Sequence, residues 1–114
     1  MKTIIAGSRG ITSLSVVNKA CELSGFSITE VVSGTARGVD QLGELWAKNN
    51  KIGVKRFPAQ WDLHGKSAGY KRNEIMAGYA EALIAIWDGK SPGTKHMIDI
   101  AKRKGLTVFV HSGD

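Results

Sequence analysis

Several cations of this chain fall where cations are disfavoured. Arg9, Arg37, the pair Lys71-Arg72 and Lys95 all lie at or near expected helix starts. The unpaired N–H groups and the dipole of a helix N-terminus attract anions, and a cation there is disfavoured by roughly 0.3–1 kcal/mol unless an anion lies between. The same segments are rich in glycine: Gly7-Ser8-Arg9-Gly10, Gly34-Thr35-Ala36-Arg37-Gly38 and Gly89-Lys90-Ser91-Pro92-Gly93. Glycine lets the backbone approach a ligand closely. Together these features point to a bound anion, specifically the phosphate of a small molecule or of a nucleic acid. A formal net charge of +6 agrees with this.

The elements that must position these turns alternate between two hydrophobic periods. Short apolar strands are expected at 3–6, 30–33, 53–57, 82–87 and 107–110. Helices are expected between them. The first, capped by Thr12 or Ser13 and ending at Ser24-Gly25, carries Leu14, Val16, Val17, Ala20, Cys21 and Leu23. The second runs to Asn50 and buries Val39, Leu42, Leu45 and Trp46. The third, 68–79, buries Ile75, Met76 and Tyr79. The fourth covers 94–104, where Lys102-Arg103-Lys104 suits the negative end of the helix dipole. Residues 59–67, after Pro58, form the least regular stretch. Strand 82–87 is the most apolar and reads as central.

Such alternation predicts an α/β, Rossmann-like three-layer fold: a five-stranded, mainly parallel sheet in order 3-2-1-4-5 with helices on both faces. The whole chain, 1–114, is expected to form one domain. In that order the winding reverses between the first and fourth strands, so the Gly-rich turns converge where open α/β sheets bind ligands.

Other chemistries find little support. No G-x-x-x-x-G-K-[ST] segment is present, and the first turn lacks the full G-x-G-x-x-G pattern. His64, His96 and His111 show no metal-ligand spacing with each other or with Cys21, so neither a metal nor a cofactor is expected. Cys21, the single cysteine, reads as a core thiol in a reducing compartment. No nucleophile elbow occurs. The N-terminal apolar run is too short for a signal peptide and no segment is long enough to span a membrane, so a cytoplasmic location is expected. Trp61, in the irregular stretch, reads either as a lid over the ligand or as packing. Trp87 reads as packing ahead of base stacking.

The motifs Gly7-Ser8-Arg9, Ser33-Gly34-Thr35-Ala36-Arg37-Gly38-Val39-Asp40, Gly65-Lys66-Ser67-Ala68-Gly69 with Arg72-Asn73, and Gly93-Thr94 resemble the SLOG superfamily, most closely its compact YspA-like branch of bacteria and their phages. That superfamily includes the "lonely guy" phosphoribohydrolases and a DNA-processing protein. The resemblance implies a nucleotide or nucleotide-derived ligand and a homo-oligomer. It also implies ligand contacts from Gly7, Ser8 and Arg9; from Gly34, Thr35, Ala36, Arg37 and Asp40; from Arg72 and Asn73; and from Gly93 and Thr94. The position of the fourth turn, at the mouth of the fourth strand, adds Asp88 and Lys95 as candidate ligand contacts. The phosphoribohydrolases carry a glutamate where aligning Gly93-Thr94 puts Met97. A thioether can neither act as a base nor stabilise a cation. The leading expectation is therefore a sensor or sequestering module. An N-glycosidic hydrolase is the alternative, with Asp88 or Asp40 ahead of Glu74 and Asp99 as substitute carboxylate. Single-stranded nucleic-acid binding is a second alternative, weakened because only Trp61 and Tyr70 interleave aromatics with the basic residues.

Overall fold

Every strand of the sheet pairs in parallel. The computed structural model describes residues 1–113, with strands β1 (Lys2–Gly7), β2 (Glu30–Ser33), β3 (Gly53–Arg56), β4 (Ala82–Ile86) and β5 (Thr107–His111) in the order β3-β2-β1-β4-β5. Both the α/β class and the strand order agree with the sequence.

The period-2 alternation of β1 sorts its side chains between two cores. Ile5 joins Val31, Ile84 and Ile86 beneath α1 (Leu14–Ser24) and α2 (Val39–Asn49), which supply Val17, Ala20, Cys21, Val39 and Ala47. Ile4 and Ala6 face the other way, with Val32, Leu83 and Ala85. They meet α4 (Ala68–Tyr79) and α5 (Pro92–Arg103) through Met76, Ala77, Met97, Ile98 and Ala101. β4 is buried at every position, as its unbroken apolar run requires of a central parallel strand. Between β3 and α4 lie the single-turn helix α3 (Trp61–His64) and a 3-10 turn, Gly65–Ser67, in the stretch expected to be irregular.

Several details differ from expectation. Leu45 and Ile75 are exposed, although their helical spacing places them on the expected stripes. Leu45 borders the open edge of the sheet with Ile52 and Val54, where no further strand covers it. Leu23 is exposed as well. The last helix begins two residues early because Pro92, with its fixed φ, takes the first helical position after Ser91. Ser13 flanks α1, but its hydroxyl pairs with Ser15 at 2.7 Å rather than capping the backbone. Trp46 and Trp87 both pack against the cores. No helix among the described residues is long and apolar enough to cross a membrane.

Candidate functional site

The winding reverses between β1 and β4, and a cleft opens at their carboxyl ends. Its volume is about 560 Å³, within the usual range for small-ligand sites. The end of β1 and the turn after it contribute Ala6, Gly7, Ser8, Arg9 and Gly10. The turn before α2 and its first residues add Ala36 and Asp40. Trp61 and Lys66 come from the segment before α4, and Gly69, Tyr70, Arg72, Asn73 and Met76 from α4 itself. Asp88 and the start of α5, Ser91 to Thr94 with Met97, complete the wall.

Backbone contact holds β1 and β4 close here. Gly7 is paired with Ile86, and a Cβ built on Gly7 would fall 2.2 Å from the Ile86 carbonyl oxygen. Ser8 N–H donates to that same oxygen at 3.1 Å, and the Ser8 hydroxyl accepts from Asp88 N–H at 3.3 Å.

The turn after β2 is organised from within and from across the sheet. Asp40 Oδ2 accepts from Ala36 N–H at 3.2 Å, and Ser33 Oγ accepts from Thr35 N–H at 3.1 Å while donating to Glu44 at 2.6 Å. Thr35 takes a left-handed φ of 65°. From α4, Arg72 Nη1 donates to the Gly34 carbonyl and its Nε donates to Asn73 Oδ1. Asp40 is only 5% exposed, and burial pushes its carboxyl up to about 6 against the lowering effects of the Ala36 hydrogen bond and Arg72. Burial also lowers Arg72, with Asp40 opposing that shift. Burial thus holds the Asp40 carboxyl above the usual carboxylate range inside the cleft.

Asp88 is occupied differently. Its Oδ1 accepts from the N–H groups of Lys90 and Ser91, both at 2.8 Å, and these bonds hold its carboxyl below the usual range. Asp88 closes the turn that leads into α5. At that helix start no side chain caps the backbone, so the amides of Gly93 and Thr94 have no side-chain partner.

Not all the residues singled out in the sequence reach the cleft. Gly7, Ser8, Arg9, Ala36, Asp40, Arg72, Asn73, Asp88, Gly93 and Thr94 line it; Gly34, Thr35, Arg37 and Lys95 do not. Gly34 lies behind the wall, gripped by Arg72. Arg37 is exposed outside it. Lys95 turns away to pair with Asp99 one helical turn on, at 2.8 Å. Trp87 is also outside the lining, its indole N–H bonded to the Ser91 carbonyl. Conversely, Met76 lines the cleft although its spacing marks only core, and Met97 lines it where the phosphoribohydrolase resemblance placed a glutamate. Trp61, half exposed, and Tyr70 supply aromatic surface. Among the described residues no group of three or more His, Cys, Asp or Glu could hold a metal ion.

The fold is shared with DNA processing protein A from Streptococcus pneumoniae. That match has a TM-score of 0.76 at 20% identity and covers 96% of this chain but 49% of that one, so the chain spans about half of its structural neighbour. The Gene 61 protein of Mycobacterium phage D29 is 34% identical over 90 residues, which are 74% of this chain and 71% of the relative. Residues 1–64, containing the first two Gly-rich turns and Asp40, match the model of a SLOG family. The chain belongs to the YspA, cpYpsA-related SLOG family.

Proposed function

We propose that the chain binds a nucleotide or nucleotide-derived phosphate ligand in the cleft at the ends of β1 and β4, acting as a sensor or sequestering domain. The observation that carries this reading is the make-up of one wall-to-wall site. Free helix-start amides at Gly93 and Thr94 and the cations Arg9, Lys66 and Arg72 suit phosphate. Met76 and Met97 with Trp61 and Tyr70 suit a flat apolar base. Arg9 and Lys66 take part in neither of the ion pairs among the described residues, Arg56–Glu44 and Lys95–Asp99. The chain acts as one domain, and self-association is part of the same proposal.

A panel of nucleoside mono- and diphosphates, ADP-ribose and short oligonucleotides in thermal unfolding tests it. A stabilising nucleotide supports the reading. A response confined to oligonucleotides, falling steeply with salt, moves the function to single strands.

One observation favours hydrolysis of an N-glycosidic bond as a second reading. Asp40, unlike Asp88, is a cleft carboxyl that burial pushes up to about 6, toward the range a general acid or base requires. Water would add at the sugar carbon as the carbon–nitrogen bond breaks and the base departs with a proton. Free base accumulating with the native protein and not with Asp40→Asn is the expected sign.

A further inference from the structure

His96 lies outside the cleft lining but touches the wall through Asn73, which is itself 6% exposed. The polarity of that contact is fixed by its neighbours. Arg72 Nε can only donate, and it meets Asn73 Oδ1 at 3.2 Å. The Gly93 carbonyl can only accept, and it lies 3.4 Å from Asn73 Nδ2. The amide therefore has one orientation, and Nδ2 also faces His96 Nδ1 at 3.1 Å. A donor confronts that ring nitrogen, so Nδ1 must accept, which requires a neutral imidazole with its proton on Nε2. The Tyr70 ring packs against the imidazole with centroids 4.4 Å apart.

We propose that neutral His96 is a positioning residue for the cleft: it locks Asn73, through Asn73 it aligns Arg72 and the Gly93 turn, and protonation of its ring releases that wall and weakens ligand binding. The proposal rests on the nucleotide-binding reading for its ligand, but its first readout needs none. Protonation would set N–H against N–H at the Asn73 contact and break a relay running from α5 to the Gly34 carbonyl. The charged groups acting on the ring are Glu74 from α4 and Asp99 and Arg103 from α5. Burial, aided by Arg103 and opposed by Glu74 and Asp99, holds the ring below the ordinary histidine value. The relay is therefore intact at neutral pH and fails on the acid side.

The test uses the full chain in two arms. In the first, nitrogen-detected histidine spectra and the Arg72 Nε–H resonance are followed from about pH 7.5 to about pH 5. An Nε2–H tautomer at neutral pH, with the Arg72 signal broadening at the midpoint of His96 titration, is expected. An Nδ1–H tautomer, or an Arg72 signal indifferent to that titration, overturns the proposal.

In the second arm the probe is ADP-ribose, whose bridging phosphates keep their charge over this range. Its affinity is measured for the native protein, His96→Asn and His96→Ala. Asparagine can place an acceptor where Nδ1 stood but cannot be protonated. Asp40 titrates in all three proteins, so the ratio of native to variant affinity isolates His96. That ratio should fall about fivefold on acidification against His96→Asn, about what one hydrogen bond supplies. At neutral pH His96→Asn should retain more affinity than His96→Ala. A ratio that stays flat or rises with acid overturns the proposal, since a rise would make His96 a charge donor to the anion. Failure of ADP-ribose to bind at any pH counts against the nucleotide reading, and the spectra still decide the role of His96.

Discussion

Asp40 and Arg72 converge on Gly34. Arg72 Nη1 donates to the Gly34 carbonyl, and a Cβ built on Gly34 would lie 2.7 Å from that nitrogen and 2.8 Å from Asp40 Oδ2. The absent side chain is what lets a cation from α4 and a carboxyl from α2 share one turn. Gly34→Ala should therefore displace two side-chain ends without disturbing the sheet. Arg72 can swing aside, so the expected stability loss is about 1–2 kcal/mol. Ligand affinity should fall at least about tenfold, because the wall is rearranged. Thermal unfolding and ligand titration on one sample measure both effects.

Gly7→Ala should behave in the opposite way. Its Cβ would meet backbone, the Ile86 carbonyl oxygen at 2.2 Å, and neither strand of the central pair can yield cheaply. A loss of about 3 kcal/mol or more in denaturant unfolding is expected. A loss as small as that of Gly34→Ala would show that the β1–β4 contact is looser than described.

Asp40 makes stability depend on pH with an unusual sign. Its carboxyl titrates at about 6 when folded, above the ordinary carboxylate value, so the folded chain holds this proton more tightly than the unfolded chain. Its contribution is greatest below about pH 4 and declines as pH rises to about 6, by on the order of 3 kcal/mol. Asp40→Asn keeps an oxygen for Ala36 N–H and cannot ionise. The native-minus-variant difference, measured by urea unfolding at stepped pH, should fall across that window. A difference that rises with pH would contradict the burial argument.

Asp88 should prove to be a turn builder. Asp88→Asn retains an oxygen able to accept from Lys90 and Ser91, whereas Asp88→Ala loses both bonds. Ligand affinity should survive the first change better than the second. Because its folded value lies below the ordinary one, the native turn should weaken only as pH falls below about 4. Equal loss of function in both variants at neutral pH would instead assign the carboxylate charge a direct role.

Much of this architecture was legible in the residues. Alternating periods and short turns dictate parallel strands with crossover helices, and β4 announced its central place by its unbroken apolar run. The turns at Gly7, Gly34 and Gly93 were legible because glycine in that setting has few other uses. Exposure of Leu45 was not, since helical spacing fixes a face but not where the sheet beneath it ends. The removal of Lys95 from the site was legible in principle: Asp99, four residues on, is its natural partner. The grip of Arg72 on Gly34 spans 38 residues of sequence and depends on the packing of α4, which no local pattern encodes. The same holds for His96, whose role comes from the one amide orientation that Arg72 and Gly93 permit.

The proposed ligand of the cleft at the ends of β1 and β4 is a nucleotide-like phosphate. Thermal unfolding of the native chain and of Arg72→Ala against the nucleoside phosphate and ADP-ribose panel tests it most directly. At a hundredfold excess over its dissociation constant, a true ligand stabilises the native protein by about 2.7 kcal/mol. Such a shift is expected for at least one nucleotide, together with its loss in Arg72→Ala. No shift across the panel, or one that persists undiminished in Arg72→Ala, would contradict it.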